Sequence, residues 1–337
     1  MPGSVSSQTT RMLVRRGSPA GLRVDEPVVT FEEYAERWLR AQQELTEAGL
    51  IRISSLHRYK TALRAHLLPF FAARRLDEIS REQVDGFRAA ALNVGRLNPG
   101  TVNSVAQILR LILKAAFRDG LIDRDPVSGM RPFRVARRLV EPYTGAEVHR
   151  LIEVTEPAQR VVIGLAAWAG LRQGEIFGIR PCDLDQAGRR VRVRRSLQRH
   201  HPGFTVSDRL GPPKTTAGYR DVPLQAALAV LVEQHLAEHW MPNQYDLVCP
   251  NDAGEPHVPI RFLNTVFAPA IRAANLRPMR FHDLRRCFVA QCVEAGIPVA
   301  QTAEWTGHTP RMVEHYYHVG HAQFASALAL LDDRAQR

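Results

Sequence analysis

The chain has 337 residues, enough for about two domains, and its 45% hydrophobic content excludes a wholly disordered protein. A net charge of +11 points to a polyanionic partner, while apolar stretches such as 161–169 are far too short to cross a bilayer. The four cysteines form no Cys-x-x-Cys pair and the N-terminus has no apolar signal-peptide run, so a zinc site, a disulfide framework and secretion are not indicated and a cytoplasmic protein is expected.

Residues 1–28 are rich in Ser, Gly, Pro and Arg without apolar periodicity and read as a flexible basic arm. A helical domain is expected over 29–123. Thr30 and Glu33 have capping-box spacing ahead of an apolar face of Phe31, Tyr34, Trp38 and Leu39. A second helix is predicted from Ser54 to Phe70, and a third from Ser80, where Gln83 again completes a capping-box pattern. A fourth runs from Asn98 or Thr101 to Arg118 and stops at Gly120, with Val102, Val105, Leu109, Ile112 and Ala116 as its core face. Its opposite stripe carries Asn103, Gln107, Arg110, Lys114 and Arg118 without an acid, which suits a DNA-facing surface and equally an ordinary solvated one. Residues 124–142 hold Arg131, Arg134, Arg137 and Arg138 among prolines and read as an extended basic linker able to track a phosphate backbone.

A second domain is expected over 143–337. Helices are predicted at 144–152 and 157–169, the latter almost wholly apolar and therefore central. Residues 188–197 change to a two-residue period, with Arg192 and Arg194 alternating against Val191 and Val193, and strands are also expected at 218–222 and 203–206. Six arginines and no acid between Gln186 and Ser207 give this small sheet a basic edge. Helices then follow at 224–240, 260–274, 282–295, 299–306, 310–317 and 323–332.

Several residues of the second domain have side chains suited to phosphate chemistry. Arg172 follows Gly170, where a helix ends, and Glu175 stands three residues on as a local partner. His282 and Arg285 are three apart on one helical face, and His308 follows Thr306-Gly307 just before a helix begun by Thr309-Pro310. Arginine keeps its charge at any working pH and offers a planar fork to two phosphate oxygens. Lys214 sits before a strand at a hairpin tip, a place where lysines are usually just solvated.

Taken in order (Arg172, Lys214, His282-x-x-Arg285, Gly307-His308, then Tyr316-Tyr317) these residues resemble the tyrosine recombinases, the phage-integrase family. The run from Lys214 through Tyr219-Arg220-Asp221-Val222-Pro223-Leu224 matches that family's lysine hairpin. The resemblance implies a mainly α, two-domain fold: a SAM-like core-DNA-binding domain and a mixed α/β catalytic domain with a small antiparallel sheet. It implies a site-specific DNA recombinase that integrates or excises a phage or mobile element through a 3′-phosphotyrosyl intermediate, without metal, ATP or other cofactor. In that scheme Arg172, Arg285, His282 and His308 bind the scissile phosphate and Lys214 protonates the leaving 5′-oxygen. Arg110, Lys114, Arg118, Arg134, Arg137, Arg138, Arg192 and Arg194 are the expected wider DNA contacts. A tetramer on paired duplex sites is implied, its C-terminal segment (Phe324, Leu328, Leu330, Leu331) docking on a neighbour, with accessory DNA-bending or directionality proteins and no membrane.

For the nucleophile, the family's usual spacing of nine residues after the Gly-His histidine selects Tyr317, and its Tyr-x-His pattern selects Tyr316. Counting from the N-cap, Thr309, favours Tyr316, because rotation about a helix is set by its start. A type IB-like topoisomerase and a non-catalytic DNA-binding protein on the same scaffold are the alternatives.

Overall fold

In the computed structural model, capping decides where the first helices begin. The structure describes residues 29–94, 97–136, 140–198, 209–213 and 215–317, with backbone only at 315–317. The chain divides into two compact units that meet between Val135 and Ala136. In the first, the Thr30 hydroxyl accepts from the Glu33 N–H at 3.3 Å while the Glu33 carboxylate accepts from the Thr30 N–H at 2.8 Å, which starts α1 (Phe31–Glu47). Ser80 and Gln83 repeat the device ahead of α4 (Arg81–Asn93), and Asn98 caps α5 (Pro99–Arg118) through the Thr101 N–H. Phe31, Phe70, Phe71 and Phe87 pack with ring centroids 4.8–5.4 Å apart, and Val105, Leu109, Ile112 and Ala116 of α5 belong to the same core, with Val102 also fully buried.

The helix predicted from Ser54 to Phe70 is present but interrupted. α2 (Ile53–Ala62) passes through a π-helical turn (Leu63–Leu67) into α3 (Leu68–Phe71). Pro69 has no N–H and its ring crowds the carbonyl four residues back, so the ladder widens and the Leu68 N–H reaches Leu63 O instead. The second unit repeats this at Pro269, where a π-helical turn (Leu263–Phe267) separates α10 (Pro259–Phe262) from α11 (Ala268–Ala273).

The beginning of the predicted linker is held to the first unit. Val127 is fully buried, Asn103 exchanges two hydrogen bonds with the backbone of Phe133 at 2.8 and 2.9 Å, and the Arg88 guanidinium donates to Arg131 O and stacks 4.2 Å from the Phe133 ring centroid. Asn103, one residue of the polar stripe on α5, is therefore a clamp for this strap.

In the second unit α6 (Gly145–Val154) and α7 (Pro157–Trp168) lead into the core, and α7 is central, flanked by α9 (Ala226–Glu238) and α12 (Leu284–Glu294). A short α8 (Gln173–Ile176) follows α7. An antiparallel sheet of order β1 (Leu184–Asp185), β2 (Arg190–Val193), β5 (Arg220–Pro223) packs on this core through Val191, Val193 and Val222, with Val191 opposite Val222. β3 (Ser196–Leu197) pairs separately with β4 (Leu210–Gly211). The single strand predicted over 188–197 is thus two, because the chain changes partner at Arg194-Arg195. β1 and β4 have two residues each, too short to produce a periodic signal. Finally α13 (Val299–Thr306) and α14 (Pro310–Tyr317) pack back on α12, with Val313 fully buried against Val289 and Ala303. No helix among the described residues is long and apolar enough to cross a membrane. The basic arm, the strand at 203–206 and the helix at 323–332 lie outside the described residues.

Candidate active site

Two glycines shape the site. Gly170 has φ +62°, and a Cβ there would stand 2.6 Å from the Phe288 ring, so the chain can leave α7 and re-enter α8 only with glycine at this position. That turn makes Arg172 the N-cap of α8. Its backbone N–H donates to Glu175 Oε2 at 2.9 Å, its Nη1 to Glu175 Oε1 at 2.8 Å, and its Nη2 to Gly307 O at 3.0 Å. The Arg172 side chain is still 38% exposed, so it is not closed off from the surface as Glu175 is.

Gly307 closes α13 in the left-handed conformation (φ +57°), and a Cβ on it would meet Ala217 O at 2.8 Å. It therefore lets the turn before His308 lie against the loop that precedes β5. Arg285, in the first turn of α12, is 2% exposed and donates from Nη1 to Gly170 O at 2.6 Å. His282 lies on the 3₁₀ turn (Phe281–Asp283) that leads into α12. Arg172, Arg285, His282 and His308 all lie within electrostatic reach of one another. Burial first, then the charges of Arg285 and Arg172, depress His308 to a pKa of about 3. His282 is lowered as well, by loss of hydration and then by Arg285. Both rings are therefore neutral at ordinary pH, and an anion placed between them would offset the repulsion that keeps them so.

Beneath these groups lies Glu175, 3% exposed. Burial pushes its pKa up, but hydrogen bonding and charge from Arg220, then Arg172, outweigh that and hold it at about 2. Arg220, equally buried, donates from Nη1 and Nη2 to the two Glu175 oxygens at 3.0 and 2.7 Å, and from Nε to Trp305 O at 2.6 Å. The sequence reading anticipated the Arg172–Glu175 pair but gave Arg220 no role. A signal was present: Arg220 shares the inward face of β5 with Val222, and a charge at such a position needs a buried partner.

Lys214 lies outside the described residues. Tyr316 and Tyr317 occupy the last turn of α14, whose seat on α12 and α13 is fixed by Val313. Of the wider basic set, Lys114 and Arg118 on α5 and Arg134 on the strap are exposed, and Arg110 is half-buried. Arg137 and Arg138 are outside the described residues. The basic edge of the sheet is less bare than the sequence suggests, because acids flanking the arginine run fold back on it. Arg192 donates to Asp185 and Arg194 to Asp221, each at 2.8 Å. No group of His, Cys, Asp or Glu able to hold a metal ion occurs among the described residues.

Residues 143–323 match the model of the phage integrase family, and residues 30–90 that of the phage integrase N-terminal SAM-like domain. The chain is 30% identical to a putative prophage phiRv2 integrase of Mycobacterium tuberculosis, across 95% of this chain and 82% of the relative. An integrase of Saccharopolyspora erythraea is 26% identical across 84% of this chain and 78% of its own length. Among solved structures, the Tn1549 transposon integrase in complex with transposon right end DNA superposes with a TM-score of 0.74 at 18% identity, covering 91% of this chain and all of that one. A lambda integrase dimer bound to a COC′ core site gives 0.66 at 14% identity, covering 87% of this chain and 97% of that one.

Proposed function

The chain belongs to the phage integrase family and is a tyrosine-type DNA breaking-and-rejoining enzyme, and from that premise we propose that the cluster around Glu175 is its scissile-phosphate site. The observation that carries this reading is the charge balance. Arg172 and Arg220 bind one buried carboxylate, Glu175, and Arg285, bonded to Gly170 O, adds its charge beside them at His308, while Asp283, another buried acid nearby, pairs with Arg286 at 3.2 Å. The surplus positive potential, in a site with neutral histidines, suits a phosphodiester whose equatorial oxygens gain charge in the transition state.

In this reading Arg172 and Arg285 hold the non-bridging oxygens and His282 and His308 donate or accept around them. The Tyr316 oxygen attacks phosphorus, the bond to the 5′-oxygen breaks, and Lys214 supplies that oxygen's proton. The phosphotyrosyl ester keeps the energy of the broken bond, so the free 5′-hydroxyl of a partner strand can reverse the step. Four protomers on two duplex sites, with Phe324, Leu328, Leu330 and Leu331 seated on a neighbour, would complete the reaction. Lys114, Arg118, Arg134, Arg137 and Arg138 would supply salt-dependent affinity.

The test is trapping on a nicked suicide duplex. Tyr316→Phe abolishes the covalent complex and leaves duplex binding intact, whereas Tyr317→Phe still traps. The reverse result would move the nucleophile to Tyr317, and trapping by both variants would remove α14 from the chemistry.

A further inference from the structure

Arg220 is buried too deeply to touch a substrate, yet it is bonded to three elements of the site. Its Nη1 and Nη2 form a fork–fork pair with Glu175 of α8, its Nε donates to Trp305 O at the end of α13, and its Nη1 also donates to Gly218 O in the loop that follows Lys214. All these acceptors belong to the protein, so Arg220 serves the reaction only through other groups.

The way Glu175 is shared gives that service a direction. Arg220 takes a position on each carboxylate oxygen, so Arg172 is left a single side-chain bond to Oε1, a backbone bond to Oε2, and a bond from Nη2 to Gly307 O. A buried carboxylate deprived of Arg220 would turn its full fork on the nearest remaining guanidinium, that of Arg172, because bidentate pairing is the preferred geometry. Arg172 would then be drawn inward and its charge neutralised.

We infer that Arg220 is a positioning residue that occupies Glu175, keeps Arg172 turned outward, and ties the lysine-bearing loop to the Gly-His turn. The inference rests on the reading of Arg172 as a phosphate ligand.

The experiment measures single-turnover cleavage of a suicide duplex at saturating protein, with duplex affinity by anisotropy and folding by thermal melting. Arg220→Met is expected to slow cleavage about 100-fold, the loss typical of a misplaced catalytic group, with affinity nearly unchanged. Adding Glu175→Gln to Arg220→Met should restore part of the rate, since a neutral amide cannot sequester Arg172. On an Arg172→Ala background, Arg220→Met should cost little more. A merely structural buried pair would give neither the rescue nor the loss of additivity, and equal slowing by Arg220→Met in both backgrounds overturns the inference. If Arg220→Met does not fold, Arg220→Lys carries the test, because lysine keeps the charge but loses the fork. It should be slowed by about 10-fold at normal affinity, and wild-type cleavage by Arg220→Lys overturns the inference. Wild-type cleavage by Arg172→Ala would instead sink the phosphate-site reading itself.

Discussion

The first unit buries Arg88 and the second buries Arg209, Arg220 and Arg285, and the surroundings of Arg88 and Arg285 differ. In the first, Arg88 is 6% exposed, pairs with the half-open carboxylate of Asp85 at 2.9 Å, donates to Arg131 O, and stacks on Phe133. Its charge is balanced locally and its contacts fasten a strap to a helix. In the second, Arg285 is 2% exposed beside Arg172 and two histidines whose protonation the site opposes. Burial of a cation is costly unless its charge is compensated. A compensated buried arginine therefore reads as architecture, and a cluster with more cations than acids reads as a place prepared for an anion.

The largest expected effect is on catalysis. Arg172→Ala and Arg285→Ala should each cost about 3 kcal/mol in cleavage, ~100-fold or more, while duplex affinity changes far less. Single-turnover cleavage at saturating duplex checks it, and a near wild-type rate for either removes that arginine from the site. Arg88→Ala should act the other way. A loss of about 2 kcal/mol in unfolding free energy is expected because Arg131 O and Asp85 lose a donor, with cleavage by the folded fraction unchanged. Slowed chemistry at normal stability would give Arg88 a part in the reaction.

Gly170→Ala should lower stability by roughly 1–3 kcal/mol, from the left-handed backbone together with the contact with Phe288, and should reduce cleavage because Arg172 and Arg285 are both bonded around this turn. Denaturant unfolding and cleavage assays read both effects.

His308 gives the comparison a pH dependence. Its folded pKa, about 3, is depressed below the ordinary value of 6.5, so the unfolded chain binds the proton more readily. Its part of the stability is whole above pH 6.5 and declines as pH falls from there toward 3. His308→Gln should flatten that stretch of the stability–pH curve, and an unchanged slope would show that neither burial nor the arginines depress His308. The smallest effect belongs to the first unit's surface. Lys114→Ala should weaken binding to all duplexes alike and reduce the slope of log affinity against log salt by about 1. No change in slope would mean that this face of α5 is simply solvated.

The sequence was most legible where local rules act. Capping boxes at Thr30 and Ser80 and the five-residue core face of α5 appear as the patterns predict. Arg172, His282, Arg285 and His308 could also be singled out as one set, because their motifs combine residue type with spacing, and the fold brings them near one another. The π-helical turns were not legible, since Pro69 and Pro269 perturb a ladder without altering apolar periodicity. Nor was the ion-pairing of Arg192 and Arg194, whose acids lie seven and 27 positions away and meet them only through the sheet.

By itself, then, the sequence determined the helix starts, the mainly helical two-part fold and the candidate set Arg172, His282, Arg285 and His308, because each follows from neighbours within a turn or from a motif of fixed spacing. Only the tertiary structure decided how the site is held together. Arg220 meets Glu175 across 45 positions of chain, and Arg172 meets Gly307 across 135. The inward position of Arg220 on β5 is written in the strand's period, but its choice of partner is not, because such pairs form when separate elements bury the same small volume and each buried charge must take whichever partner packing brings to it.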